Sequence, residues 1–156
     1  MMEFIRAGIE DAKILTEIKI ETFDDDSRRF FNRPEGGPPG YDSIEAHIKD
    51  IKENIYYKIV DDNKIIGGFY VQDMGNSHFY LANIFIKPSE QGRGIGQKAI
   101  KFLESQFPNI TKWTLDTPSV CVRNQHLYEK MGYKVMDKIL LDKGTSLYLY
   151  LYEKNI

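Results

Sequence analysis

The chain has 156 residues, of which 42% are hydrophobic and 28% charged, and its 21 Lys+Arg against 23 Asp+Glu leave a formal net charge of −2. Domains usually run to about 100–200 residues, and this composition excludes a disordered chain, a collagen and a disulfide scaffold. The near-neutral charge balance argues against a general nucleic-acid binder. We therefore expect a single domain over residues 1–156, with no nucleic-acid partner.

The cysteine content and the N-terminal residues suggest a compartment. Cys121 is the only cysteine, so no internal disulfide can form, and a single thiol fits a reducing compartment. The N-terminal residues Met-Met-Glu-Phe-Ile-Arg lack the apolar run of a signal peptide, and no stretch of about 18 apolar residues occurs. The sequence therefore predicts a cytoplasmic protein with no membrane partner.

The first half of the chain predicts a strand, two helices and then β structure. Apolar residues recur at helical spacing from Ile14 to Thr22, and Ser43 is a suitable N-cap. Residues 34–40 are dense in Pro and Gly and predict a loop. Turn residues at 61–63 and 75–76 separate runs rich in β-branched and aromatic side chains. The predicted elements are a strand over 4–7, helices over about 10–23 and 43–54, and strands over 56–60, 64–72 and 78–86.

The second half of the chain predicts helices and strands in alternation, ending in a hairpin. Apolar residues at helical spacing follow Ile95 and stop before Pro108, and Gly132 is typical of the position after a helix. The resulting order, β-α-α-β-β-β-α-β-α-β-β, predicts the α/β class, with a mixed, mostly antiparallel sheet flanked by about four helices. The predicted elements are a helix from 95 to before 108, a strand over 112–116, a helix over about 124–131, and strands over 133–141 and 146–153.

The last predicted strand has an unusual pattern, because residues 147–152 alternate strictly between Leu and Tyr. Both faces of this strand are therefore expected to be covered, with the Leu face on the core. The Tyr face could pack under a helix or meet a second subunit, which would make the protein a homodimer.

The most informative segment joins a strand to a helix through glycines. The strand ends with Ile84-Phe85-Ile86, and after a short loop the run Gln91-Gly92-Arg93-Gly94-Ile95-Gly96 opens the helix. The first N–H groups of a helix lack intrahelical partners, and the helix dipole is positive there. Glycines let a phosphate approach the backbone closely. The pattern therefore predicts an anion site, most plausibly for a phosphate or pyrophosphate.

Two common phosphate motifs do not fit this segment. A Walker A loop needs Lys-Ser or Lys-Thr after its last glycine, whereas Gln97-Lys98-Ala99 follows here. A dinucleotide fingerprint needs Gly-x-Gly-x-x-Gly, and its third glycine would fall at Gln97. On this segment alone, a glycine-rich turn without a ligand stays an alternative.

A second segment, residues 123–133, follows one predicted strand and leads into another. Together with residues 91–96, and in this order, it resembles the GNAT superfamily of N-acetyltransferases. Residues 91–96 match the acetyl-CoA pyrophosphate loop of that family. The run Leu127-Tyr128-Glu129-Lys130-Met131-Gly132-Tyr133 matches its later Leu-Tyr-Glu-Lys-x-Gly-Phe/Tyr signature. The specific match covers residues 84–134, and the element order extends the resemblance over the whole chain.

The resemblance implies acetyl-CoA as co-substrate and no metal. In this family the strand before the loop splays from the next strand, the thioester lies in the gap, and a backbone N–H polarises the thioester carbonyl. The N–H groups of residues 91–96 would hold the pyrophosphate. Arg93 could add a charge-assisted contact or be a solvated loop charge. The implied cofactor-binding residues are Ile84, Phe85, Ile86, Gln91, Gly92, Arg93, Gly94, Ile95, Gly96, Gln97 and Asn124.

The same resemblance makes Tyr128 the general acid. Acetyl transfer to an amine expels a thiolate, and because a thiol titrates near ~8.5 and tyrosine near ~10, a neutral Tyr can donate the proton. The alternative is that Tyr128 packs in the core with its hydroxyl merely satisfied. The family often has Asn where Cys121 stands and Ala where Asn124 stands, so this chain departs from the family pattern at both positions. Cys121 is read as a packed small residue.

The general base is left open by the sequence. Many family members use Glu on the strand occupied here by residues 78–86, but Asn83 stands where that Glu would be sought, and Asn cannot act as a base. Four other side chains could substitute, and each is more readily explained as structural or solvated. These candidates are His78, His126, Glu21 and Asp116.

The acceptor side is the least specific part of the chain. In the family the first two helices and their loop help to form the acceptor site, and here that region contains the acidic run 24–26. This run could attract a cationic amine or simply be a solvated helix end. Aromatic residues between 30 and 41 could wall a pocket or anchor the loop. The acceptor could be a small-molecule amine or a peptide N-terminus.

The function expected from the sequence is therefore acetyl-CoA-dependent N-acetyl transfer to a primary amine, by direct transfer in a ternary complex. Two alternatives stay open. One is a non-catalytic acyl-CoA-binding regulatory module, which the missing strand Glu favours. The other is an interaction domain with an empty loop.

Overall fold

The computed structural model describes residues 1–156 and contains seven strands and four α-helices. Their order is the predicted one, so the element order and the α/β class are confirmed. Short 3-10 turns precede α1 and α3, at Ile9–Asp11 and Pro88–Glu90. The helices are α1 (Ala12–Phe30), α2 (Ile44–Glu53), α3 (Ile95–Gln106) and α4 (Val122–Lys130). The strands are β1 (Met2–Arg6), β2 (Ile55–Asp61), β3 (Lys64–Asp73), β4 (His78–Ile86), β5 (Lys112–Pro118), β6 (Lys134–Asp142) and β7 (Leu147–Asn155).

The strands form one seven-stranded sheet in the order β1-β2-β3-β4-β5-β7-β6. The pairs β1–β2, β2–β3, β5–β7 and β6–β7 are antiparallel, whereas β4 and β5 are parallel. The parallel pairs run from His78 opposite Lys112 to Tyr80 opposite Thr114, although β4 continues to Ile86. The sheet is therefore mixed and mostly antiparallel, as predicted.

Two compact units divide the chain. The first unit contains Met1–Val71 and Asn83–Ile95, and the second unit contains Gln72–Ala82 and Gly96–Ile156. The expectation of a single domain over residues 1–156 stays a prediction. No helix is both long enough and apolar enough to cross a bilayer.

In the first unit, the helix α1 is longer than predicted, since it ends at Phe30 instead of near residue 23. Two features of its last turns favour helix beyond the apolar stripe. The Arg29 Nε lies 3.2 Å from the Asp25 carboxylate four residues earlier, and Arg28 and Arg29 complement the negative end of the helix dipole. The helix α2 begins where predicted, because the Ser43 hydroxyl accepts a hydrogen bond from the Ala46 N–H.

In the second unit, aromatic rings fill the core. The Phe79 ring lies 5.5 Å from the Trp113 ring and 5.1 Å from the Phe107 ring, both edge-to-face. On β7 the fully buried residue is Tyr152, at 1% exposure, whereas the leucines of this strand are half-buried. The expectation that the Leu face of this strand supplies the core is therefore wrong at Tyr152.

Candidate functional site

The glycine loop lies in the first unit, between the 3-10 turn and α3. Gly92 and Gly94 have φ angles of +80° and +74°, in the left-handed region that L-residues avoid. A Cβ atom at either position would meet nothing within 4 Å. Both glycines are exposed. The loop therefore needs glycine for its backbone conformation and leaves open space beside it, which suits the close approach of an anion.

Two side chains fix this loop within the first unit. The Gln91 side chain donates to the Ile86 carbonyl at 2.9 Å, so the loop is tied to the end of β4. Arg93 forms ion pairs with Glu90 at 2.5 Å and with Asp61, at the end of β2, at 3.0 Å. The hydrogen bond from Arg93 holds the pKa of the Asp61 carboxyl below its usual value. In the structure, the guanidinium of Arg93 is thus engaged by carboxylates.

The end of β4 that precedes the loop is firmly packed. Phe85 is 1% exposed, and Gly68 leaves the space that its ring occupies, since a Cβ on Gly68 would lie 2.9 Å from the ring edge. Ile84 and Ile86 are half-buried. The Ile86 carbonyl also accepts a hydrogen bond from the Thr22 hydroxyl of α1 at 3.3 Å. These contacts pack the predicted thioester-binding residues against β3 and α1.

Gly96, in the first turn of α3, lies in the second unit and packs directly on α4. A Cβ atom on Gly96 would stand 2.8 Å from Leu127 Cδ2. The third glycine of the motif therefore lets the Leu127 side chain pack closely on α3, whereas Gly92 and Gly94 have open space at their Cβ positions. The next residue, Gln97, is half-buried. Because Leu127 precedes Tyr128, the close approach at Gly96 also fixes the turn of α4 that holds this tyrosine.

Tyr128 is 7% exposed near the end of α4. Its ring centroid lies 6.2 Å from that of Tyr133 and 6.0 Å from that of Tyr152. The Tyr152 hydroxyl donates to the Glu129 carboxylate at 2.9 Å, which fixes the ring beside Tyr128. The predicted helix end is also found, because Gly132 follows α4 and the Tyr133 N–H donates to the Tyr128 carbonyl. The ring of Tyr128 is thus held by aromatic neighbours.

Asn124 is half-buried in the first turn of α4. Its side-chain amide donates to the Thr117 hydroxyl on β5 at 3.3 Å. The neighbouring Gln125 amide donates to the Ser119 carbonyl at 2.8 Å. Both bonds anchor the start of α4 to the end of β5, and Cys121 is buried at the same junction. The second unit thus contains Gly96, Gln97, Asn124 and Tyr128, and the first unit contains the other predicted residues.

The four candidate bases differ in environment. His78 lies with Nε2 2.7 Å from the Thr114 hydroxyl, and burial, followed by the Lys112 charge, lowers its pKa. Asp116 accepts a hydrogen bond of 2.6 Å from the Tyr80 hydroxyl. Glu21 and His126 are exposed.

The sequence analysis missed a buried polar cluster in the first unit. Lys19, on α1, is 4% exposed, and its ammonium lies 5.5 Å from the Tyr70 ring and 5.4 Å from the Phe85 ring. Burial lowers the pKa of Lys19 to about 8, against the opposing effect of the Asp50 charge. The signal was present in the sequence, because Lys19 follows Leu15 by four residues and so lies on the apolar face of α1.

His47 and Tyr56 belong to the same cluster. His47 is 1% exposed, and its Nδ1 lies 2.7 Å from the Ser43 carbonyl, so Nδ1 carries the proton and donates it. Its Nε2 has no hydrogen-bond partner, and neither has the Tyr56 hydroxyl. The Tyr56 ring stacks on the Tyr70 ring at 4.9 Å.

Tyr70 connects this cluster to β4. Burial, then the Asp50 charge, raises the pKa of Tyr70 to about 12, and hydrogen bonding to the side chains of Asp50 and Asn83 makes smaller contributions of opposite sign. A phenol hydrogen bond to a carboxylate is donated by the phenol, and the Asn83 amide donates to the phenol oxygen. Asn83, which stands where the resembling family often has Glu, is thus linked through Tyr70 to the carboxylate of Asp50.

The acidic run before the long loop has a structural role. The Asp24 carboxylate accepts a hydrogen bond from the Gly36 N–H at 3.0 Å and another from the Tyr41 hydroxyl at 2.9 Å. The latter bond raises the pKa of Tyr41 to about 12. The Tyr41 ring also packs edge-to-face on Phe23 at 6.1 Å. Asp24 and Tyr41 therefore anchor the loop between α1 and α2.

Comparison with known proteins defines the class to which this fold and loop belong. Residues 52–135 match the family model described as an acetyltransferase (GNAT) domain, which is more than half of the chain. The chain therefore belongs to the GNAT acetyltransferase family.

One curated protein is similar to this chain in sequence. "Uncharacterized protein YrkN" of Bacillus subtilis (strain 168) is 29% identical over 120 residues, which are 76% of this chain and 60% of that relative. The chain thus spans about 60% of the length of the curated relative that it matches.

Among solved structures, the PaiA N-acetyltransferase from Thermoplasma acidophilum, in complex with coenzyme A, has a TM-score of 0.81 at 18% identity and covers 100% of this chain and 99% of its own. The ribosomal-protein-S18-alanine N-acetyltransferase from Escherichia coli has a TM-score of 0.75 at 14% identity. That match covers 100% of this chain and 94% of the E. coli chain. At these identities the likeness is one of fold, so the GNAT-like fold is confirmed.

Proposed function

We propose that this protein is an acetyl-CoA-dependent N-acetyltransferase that moves the acetyl group to a primary amine by direct transfer in a ternary complex. The observation that carries the proposal is the loop at residues 92–94, with two left-handed glycines and open space beside them, in a chain of the GNAT family. A solved relative of the same fold that holds coenzyme A supports the choice of co-substrate. The acceptor is a small-molecule amine or a peptide N-terminus.

The loop would bind the pyrophosphate mainly through residues 92–96. The Gln91 N–H donates to the Pro88 carbonyl at 3.3 Å, so we assign this role to the N–H groups that follow it. The positive end of the α3 dipole adds to their attraction for an anion. Arg93 would act chiefly by holding the loop through Asp61 and Glu90. Asn124 would contact the cofactor from the start of α4.

The reaction needs an acid at the leaving group. The neutral amine attacks the thioester carbonyl carbon, a C–N bond forms, the C–S bond breaks, and the thiolate takes a proton. Tyr128 would supply that proton, because a phenol hydroxyl can act as a general acid towards a leaving thiolate. A backbone N–H of residues 84–86 would stabilise the oxyanion of the intermediate.

The amine must also lose a proton, and Asp50 is the acceptor that we propose for it. The Tyr70 hydroxyl is the group between this carboxylate and Asn83, so a proton taken up by the Tyr70 oxygen could pass to Asp50 as the hydroxyl's own proton moves to the carboxylate. Asp50→Asn should then lower turnover by about 10²-fold or more and leave acetyl-CoA affinity unchanged. Glu53→Gln, at an exposed position of the same helix, is the matched control. Unchanged turnover in Asp50→Asn would remove this role.

The experiment that tests the function is the release of free thiol from acetyl-CoA across a panel of amines. The panel contains polyamines, aminoglycosides, amino acids and short peptides, with a reaction lacking acceptor as the control. Release that depends on one acceptor class would establish the activity and identify that class. Binding of acetyl-CoA without any release would favour the non-catalytic acyl-CoA-binding module, and absence of binding would overturn the cofactor assignment.

A further inference from the structure

The buried polar cluster of Lys19, His47 and Tyr56 leaves hydrogen-bonding groups unused inside the first unit. The Lys19 ammonium contacts the rings of Tyr70 and Phe85 and forms no ion pair. His47 Nε2 and the Tyr56 hydroxyl have no hydrogen-bond partner. The three residues of the cluster are exposed to 4% or less. Because burial removes the hydration of such groups, nearly all of them in folded proteins are paired, and three unpaired groups in one cluster indicate a binding site.

The unused positions differ in chemistry, and together they specify a ligand. Lys19 supplies a positive charge and N–H donors, and the Tyr56 hydroxyl supplies another donor. His47 supplies an acceptor, because its Nδ1 proton is donated to the Ser43 carbonyl at 2.7 Å and Nε2 keeps a lone pair. The matching ligand therefore has a negatively charged oxygen for the two donors and an N–H group for His47.

A negative charge also lies close to the cluster. Burial lowers the pKa of Lys19 to about 8, and the Asp50 charge opposes this effect without cancelling it. Asp50 also acts on Tyr70 and is the proton acceptor proposed for the amine. A ligand with a carboxylate and an ammonium group meets an opposite charge at both Lys19 and Asp50. A phosphate or a polyamine meets a like charge at one of these two residues.

The cluster lies beside the segment proposed to bind the thioester. The Lys19 ammonium is 5.4 Å from the Phe85 ring. Thr22, three residues later on the same face of α1, donates to the Ile86 carbonyl at 3.3 Å. A carboxylate bound at Lys19 therefore keeps an amine on the neighbouring carbon atom close to residues 84–86. The N-terminal amine of a peptide lies much farther from the terminal carboxylate, so a peptide does not fit both groups.

We propose that the buried polar cluster binds the carboxylate of the acetyl acceptor, and that the acceptor is a free α-amino acid. Lys19 and Tyr56 donate hydrogen bonds to the carboxylate, and His47 Nε2 accepts one from the amine. Asp50 balances the positive charge of the amine until its proton leaves. The identity of the acceptor rests on the proposed acetyl transfer, whereas the binding of a carboxylate at Lys19 does not.

The first test compares acceptors that differ only in the carboxylate. Glycine, leucine and phenylalanine are each paired with the corresponding amide, and thiol release from acetyl-CoA gives kcat/KM for both members of a pair. More of the amide is neutral amine at pH 7, so chemical reactivity alone favours the amide. We expect the kcat/KM of the amino acid to exceed that of its amide by about 10-fold or more, the gain from a hydrogen bond to a charged group. Lys19→Met should reduce this ratio to about 3-fold or less, whereas Lys13→Met, at an exposed position of α1, should keep it.

The second test measures binding without the reaction. Isothermal titration calorimetry of the same amino acids and amides is carried out with and without coenzyme A. The amino acid should bind about 10-fold or more tightly than its amide, and Lys19→Met and Tyr56→Phe should each weaken that preference. Circular dichroism of each variant separates loss of binding from loss of folding.

The two tests separate this site from the proposed reaction. Thiol release that shows no preference for the amino acid, or a preference that Lys19→Met leaves unchanged, would overturn the carboxylate site and leave acetyl transfer intact. Binding of amino acids that depends on Lys19, without any thiol release, would support the site and overturn acetyl transfer. If no amino acid binds and none is acetylated, the cluster holds only water and the proposal is wrong.

Discussion

Replacement of Gly94 by alanine separates a loop that binds phosphate from a loop that merely turns. Gly94 has a φ of +74°, and a Cβ there meets nothing within 4 Å. The methyl group therefore causes no clash within the chain. It does strain the backbone, because an L-residue in the left-handed region costs about 1–2 kcal/mol. At this chain length each kcal/mol lowers the midpoint of thermal unfolding by about 2–4 °C, so we expect a decrease of about 2–8 °C.

The chain contains a matched control for this strain. Gly75, in the turn between β3 and β4, has a φ of +81° and also has nothing within 4 Å of its Cβ position. Gly75→Ala should therefore lose a similar amount of stability. Only Gly94→Ala should lose acetyl-CoA affinity, because its methyl group stands where the proposed pyrophosphate approaches the backbone.

The size of the affinity loss follows from the hydrogen bonds to the phosphate. A hydrogen bond to a charged group contributes about 1.5–3 kcal/mol, so losing one should raise the dissociation constant about 10- to 100-fold. Isothermal titration calorimetry of wild type, Gly94→Ala and Gly75→Ala with acetyl-CoA measures this directly. If Gly94→Ala binds acetyl-CoA as tightly as Gly75→Ala does, the loop is not the phosphate site.

Two further predictions concern buried titratable side chains. Tyr128→Phe should lower turnover by about 10²–10⁴-fold with little change in acetyl-CoA affinity. The control is Tyr133→Phe, which removes a buried hydroxyl without a hydrogen-bond partner and should keep full turnover. Equal turnover in the two variants would show that Tyr128 is not the general acid. For Lys19, the folded pKa of about 8 lies below its usual 10.5, so the folded state holds fewer protons between these values and stability rises with pH across that window. Lys19→Met should raise the free energy of unfolding at pH 7 by about 1–3 kcal/mol, after allowance for the lost contacts with Tyr70 and Phe85, and should abolish that rise. Denaturant unfolding at pH 7 and pH 10 measures the gain in stability and its dependence on pH. Lys13→Met, on the exposed side of α1, is the control. A Lys19→Met protein that is less stable than wild type at pH 7 would contradict the reasoning.

The order of the elements and the location of the motifs could be predicted from local patterns of residues along the chain. The strand predicted over 78–86 has these bounds in the structure, Ser43 caps α2, and Gly132 follows α4. These features could be predicted because apolar periodicity, N-caps and C-terminal glycines act through neighbouring residues. The glycine run at 91–96 and the segment at 123–133 could be recognised together for the same reason, because each motif consists of neighbouring residues.

Which polar side chains are buried, and which glycine serves which purpose, depends on contacts between residues that are distant in the chain. Lys19 is buried because β3 and β4 bring aromatic rings onto its face of α1, and Arg93 is engaged because Asp61 lies beside it in the fold. Gly96 leaves room for the Leu127 side chain, whereas Gly94 is needed for its φ angle. Contacts of this kind join residues far apart in the chain. Local pattern therefore cannot specify them, because burial and charge pairing depend on what the rest of the fold places alongside.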